Sequence, residues 1–127
     1  MIVTCLENYR ESLIKGKDYL VIEIYTNIRT QEIAYRTSNE QGVLAIYDHK
    51  LFEIKKALLN GYAIKINNLH TQIMLDDLLE LEIKSINSEG IWDDYLERNK
   101  KTIEIVHQII KKRAKNENIE IIEPIAY

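Results

Sequence analysis

Tyr19-Leu20-Val21-Ile22-Glu23-Ile24-Tyr25 is β-branched and aromatic and almost unbroken in apolarity. The turn cluster Lys15-Gly16-Lys17-Asp18 precedes it and residues 27–30 make a turn after it, so it reads as a strand. Working outward, residues 2–6 form an earlier short strand and residues 31–37 (QEIAYRT) a later one. The polar stretch 38–42, ending in Gly42, is a hairpin loop. Residues 43–47 and 51–55 follow, split by Asp48-His49-Lys50. Short strands separated by turn signals at this spacing predict a small antiparallel barrel over residues 1–56.

Beyond residue 56 the pattern changes. Asn60-Gly61 is a turn, and residues 62–66 alternate Tyr62, Ile64 and Ile66 against Ala63 and Lys65, the signature of a half-buried strand. After Asn67-Asn68, residues 70–75 supply its hairpin mate. Residues 75–83 read as a short helix or an irregular segment. The strongest element is a helix over residues 89–115, with Ser88 as N-cap and Asp93 and Asp94 in its first turns. Trp92, Leu96, Asn99, Ile103, Val106 and Ile110 step along one helical face. Asn116-Glu117-Asn118 ends it, and residues 119–122 predict a last strand. The fold class is therefore α+β: a barrel, a small β-hairpin extension and a long amphipathic C-terminal helix. Residues 57–127 are expected to pack with the barrel as one unit.

The chain has 127 residues, 46% of them apolar, and a net charge of −3. That is enough for a core and argues against wholesale disorder. It makes nonspecific nucleic-acid binding a poor default, since that mode needs a basic footprint. One cysteine, Cys5, fits a reducing compartment. The first residues lack a signal-peptide pattern and no apolar run approaches the roughly 20 residues of a membrane span. A cytoplasmic protein without membrane contact is expected.

Charge is unevenly placed. Residues 57–97 hold Asp76, Asp77, Glu80, Glu82, Glu89, Asp93, Asp94 and Glu97 against Lys65 and Lys84. From Arg98 the sign reverses. Part of this has a structural cause, because acids favour a helix start and bases its end. Still, Asp76, Asp77, Glu80, Asp93, Asp94 and Glu97, beside Trp92 and Tyr95, can present an acidic-aromatic face that steers a basic partner. The repeated spacing in LDDLLE (75–80) and WDDYLE (92–97) also admits a Mg²⁺ site from paired carboxylates on facing helices. It is similar to that of the all-helical nucleotide pyrophosphohydrolases, although the first half here reads as β. Nucleophilic catalysis has little support: His49, His70 and His107 have no ligand or triad spacing, and no phosphate loop or nucleophile elbow occurs.

The stretch LIKGKDYLVIEIY…EIAYRTSNEQGVLAIYDHKLFEI resembles the small SH3-like barrels of bacterial and phage proteins over residues 2–55. That resemblance implies fold, not activity. GYAIKINN with GIWDDYLERNKKTIEIV resembles a pattern of small bacterial proteins encoded beside toxins, and implies an immunity-type protein that blocks a cognate toxin. The expected function is non-catalytic binding of a basic protein, of the immunity or antitoxin kind, with no cofactor and no metal. The alternatives are an SH3-like nucleic-acid-binding module, using strand tyrosines and the basic segment 111–115, and a Mg²⁺-dependent nucleotide hydrolase. A homodimer is compatible with the sequence.

Overall fold

A computed structural model describes residues 1–84, 91–96 and 99–125, without the side chains of Lys84 and Asp94. The strands are β1 (Ile2–Cys5), β2 (Asp18–Leu20), β3 (Glu23–Asn27), β4 (Ile33–Ser38), β5 (Leu44–Asp48), β6 (Phe52–Lys56), β7 (Tyr62–Ile66) and β8 (His70–Leu75). A 3-10 turn, His49–Leu51, joins β5 to β6. The helices are α1 (Asp76–Lys84), α2 (Ile91–Leu96) and α3 (Lys100–Asn116).

The apolar stretch 19–25 is two strands with a swivel between them. β2 pairs with β1 in a sheet ordered β2-β1-β6, whereas β3 belongs to a second sheet ordered β5-β4-β3-β8-β7. All neighbours run antiparallel. The two residues between them, Val21 and Ile22, are fully buried. Val21 N donates to Met1 O in the direction of the first sheet, and Ile22 N to Arg36 O in the second. Side chains alternate across an extended chain, so Tyr19 and Val21 enter one core and Leu20 and Ile22 another. Burial on both sides explains why the stretch carries so few polar residues.

The first core lies between the sheets, around Val3, Tyr19, Tyr35, Tyr47 and Phe52. The second lies between the larger sheet and the helices, around Ile22, Met74, Leu78, Tyr95 and Val106. Two antiparallel sheets with helices on one side make the molecule α+β, as expected. A closed barrel is not seen: among the described residues no ladder joins the two sheets. β3 gives its second flank to β8 instead, so the β7–β8 hairpin widens the larger sheet rather than forming a separate extension.

Two other expectations change, and one left open is resolved. The single helix over 89–115 is α2 and α3, and Asn99 is the N-cap of α3, its Oδ1 accepting from Thr102 N at 3.2 Å. A short polar side chain competes with helical backbone bonds and favours a start over a continuation. Leu96, expected on the apolar stripe, is consequently exposed. Of residues 75–83, read as a short helix or an irregular segment, Leu75 ends β8 and the rest are helical, with β8 running straight into α1. Finally, residues 119–122 join no ladder, because they meet the end of β4 and the loop beyond it rather than an open strand edge. Ser38 Oγ donates to Ile122 O at 2.9 Å, and Ile125 N to Gly42 O at 3.0 Å. The segment is a strap. The expected N-cap Ser88 lies outside the described residues.

Candidate functional site: an acid-walled groove between α1 and α3

Asp76 and Asp77 open α1, where carboxylates complement the positive end of the helix dipole. Asp76 Oδ1 accepts from Asp77 N at 2.8 Å, and Asp76 N donates to Gly61 O, which seats the helix start on the turn before β7. The inward face of α1 carries Leu78, Leu79 and Glu82, leaving Asp76, Asp77 and Glu80 exposed. Facing them across a groove are Ile105 and Ile109 of α3. Asp77, Glu80, Leu81, Ile105 and Ile109 line its main cavity of about 320 Å³. A second cavity of about 150 Å³ continues toward Gly61, between Asp76 and Asp77 on one side and Lys112, Arg113 and Asn116 on the other. Arg113 is already engaged: its Nε donates to Glu117 at 3.0 Å and its guanidinium lies 5.0 Å from the centre of the Tyr62 ring. The groove is therefore acidic along α1, apolar on its floor and mixed at one end.

The other expected site residues fall elsewhere. Trp92 is half-buried on the larger sheet. Its Nε1–H donates to Glu23 Oε2 at 3.0 Å, and the Arg36 guanidinium lies 4.2 Å from its ring centre. Tyr95 is 2% exposed, with its hydroxyl 2.6 Å from His107 Nε2, so its ring offers no surface to a partner. Asp93 is half-buried beside Trp92 on α2. The Asp94 side chain and the whole of Glu97 lie outside the described residues, as does Glu89. Asp77 and Glu80 thus share the groove, while the α2 aromatics serve the packing of α2.

Two carboxylates escaped the reading of sequence. Glu23 is 1% exposed and bonded by Arg36 Nε at 3.0 Å and Gln72 Nε2 at 2.9 Å as well as by Trp92. Glu82, counted within the acidic block, turns inward: it accepts from Ile91 N at 2.5 Å and Lys65 Nζ at 3.2 Å, joining α1 to the start of α2 and to β7. The only sequence signal for Glu23 was a lone acid inside an apolar strand.

The features behind the alternatives are placed as follows. Tyr19, Tyr35 and Tyr47 are buried in the inter-sheet core, and Tyr25 stacks on His70 at 5.1 Å. In the basic segment, Lys111 is paired with Glu123 and Arg113 with Glu117. Among the described residues no group of three or more His, Cys, Asp or Glu side chains is placed to hold a metal ion. His107 sits below its ordinary value near 6.5, first because of burial and then because of Lys111, against an opposing pull from Glu123. Burial raises the Cys5 thiol, which donates to Glu7 O at 2.9 Å.

Compared with family models, curated proteins and solved structures, the chain found no match.

Proposed function

We propose that this is a non-catalytic binding protein of the immunity or antitoxin kind, whose α1–α3 groove receives a basic, partly aliphatic segment of a partner protein. The observation that carries the proposal is the groove itself. Asp76, Asp77 and Glu80 stand exposed along one wall above a floor of Leu81, Ile105 and Ile109. Exposed carboxylates raise the encounter rate with a cationic partner, and an apolar floor supplies contact once the complex forms. The aromatic half of the expected face drops out of the proposal, since Trp92 and Tyr95 pack inward. An SH3-like plan for residues 2–55 belongs to the same proposal. Its support is a strand that bends from one sheet into the next at Val21-Ile22 and a 3-10 turn before β6.

Charge reversal tests it. A nuclease-treated lysate of the native cell is passed over the wild-type chain and over the Asp76→Lys/Asp77→Lys variant. A basic protein retained by the first and lost from the second supports the groove, and its association rate with the wild type should fall as salt rises. A partner held equally by both variants, or captured only while nucleic acid is present, overturns the proposal.

A further inference from the structure

Strand β7 ends the larger sheet, with β8 on one side and, among the described residues, no strand on the other. In an antiparallel ladder, bonded pairs alternate with non-bonded ones. Asp76 N donates to Gly61 O beyond one end of β7, and Asn67 N to His70 O beyond the other. The bonded pairs between them are then Ala63 with Met74 and Lys65 with Gln72. The N–H and C=O groups of Ile64 and Ile66 therefore point away from β8, and among the described residues they have no backbone partner. Tyr62 differs, because its N–H is taken by Leu59 O. The side chains of Ile64 and Ile66 are 56% and 68% exposed. Bonding groups and apolar surface at this rim thus belong to the same two residues.

A lysine in an edge strand usually discourages pairing. Lys65 occupies that place, but its ammonium is drawn onto Glu82 at 3.2 Å, a carboxylate only 6% exposed. The guard is tied back against the helix side of the sheet.

We infer that β7 is a pairing edge and that its occupant is β7 of a second copy of this chain, antiparallel about a twofold axis at Lys65. That register is self-complementary. Ile64 of each copy bonds Ile66 of the other through both outward N–H and C=O groups, and the four isoleucines gather on one face. The two Lys65 side chains come opposite one another, a contact that destabilises a bare like-charge pair. Here each arrives with its own Glu82, so the centre holds two positive and two negative charges. A peptide strand of either net charge lacks that match. The contact is small, so the dimer forms with rising concentration rather than permanently.

Amide hydrogen exchange of the wild-type chain, at low micromolar and at millimolar concentration, tests this without a variant. The amides of Ile64 and Ile66 should slow several-fold at the higher concentration, while Ala63 and Lys65 stay protected at both. Sedimentation should show monomer giving way to dimer, and Ile64→Pro, which removes an outward donor and an isoleucine of the contact while leaving the donors to β8 in place, should keep the chain monomeric. In a Cys5→Ser background, Lys65→Cys should form a disulfide-linked dimer on oxidation and Ile54→Cys, on exposed β6, should not. Exchange at Ile64 and Ile66 that ignores concentration overturns the inference. So does a dimer that survives Ile64→Pro, and so does protection that appears only when an unrelated strand peptide is added.

Discussion

Glu23 keeps a carboxylate in a nearly water-free position because three donors, from Arg36, Gln72 and Trp92, converge on it. Burying a charge is tolerated only with this kind of compensation, and removing one member of a buried pair leaves the other stranded. Glu23→Ala should therefore cost about 3–5 kcal/mol in urea unfolding. The Trp92 emission should move to the red as its indole loses Glu23 and Arg36 is freed. A loss below about 1 kcal/mol would show that the cluster contributes no more than an ordinary hydrogen bond. Gly42 is constrained differently. Its φ is +74°, and a Cβ there would lie 2.6 Å from Glu123 O of the strap. Gly42→Ala meets an unfavourable backbone region and a carbonyl that must move, so about 2 kcal/mol of stability should go. Amide exchange at Ile125, whose N–H bonds Gly42 O, should rise in the same variant.

At the level of the element, the strands were the most legible part of the chain. Residues 62–66 and 70–75 are the strands expected, but the alternation in β7 does not mark its buried face: Ala63 and Lys65 are half-buried, whereas Ile64 and Ile66 are exposed. The helical region was less so. Asn99 fell on the apolar spacing by position, yet its side chain caps a new helix, and spacing alone does not distinguish the two roles. Asn99→Ala should cost about 1 kcal/mol and fray the first turn of α3, read by exchange at Thr102 and Ile103. The acids of α1 could be read as a surface cluster because helix starts favour them. Glu23 and Glu82 could not be placed, since their burial depends on partners brought in from other strands and helices. Tyr95 and His107 join α2 to α3, and His107 is held below its ordinary value near 6.5. The unfolded chain then takes up the proton first as pH falls. The contribution of His107 is complete above that value and declines as pH drops through it toward the folded pKa. Thermal midpoints measured between about pH 7 and 5 should fall, with a shallower slope in His107→Gln. Equal slopes would assign the pH dependence to other groups.

Across the whole molecule, the first half holds the inter-sheet core but shares the second core with the rest of the chain. Leu20, Ile22 and Leu44 pack with Met74, Tyr95 and α3, and the Tyr62 hydroxyl donates to Val21 O. A fragment of residues 1–56 would expose that apolar face and leave β3 without the flank that β8 supplies. It should show poor dispersion in NMR spectra and no cooperative melt, while the full chain unfolds in one transition. A cooperatively folding fragment would instead make the two halves separate units. The strap extends this dependence into the order in which the protein is made. Ser38 is fixed by a carbonyl 84 positions further along, and Gly42 waits for Ile125. On the ribosome, the loop after β4 emerges long before its covering segment exists. The early strands must therefore stay partly uncovered throughout elongation, and contacts of such long sequence separation form late and slowly. Nascent chains halted before α3 should be protease-sensitive in residues 38–44 and become resistant only when the strap has cleared the tunnel.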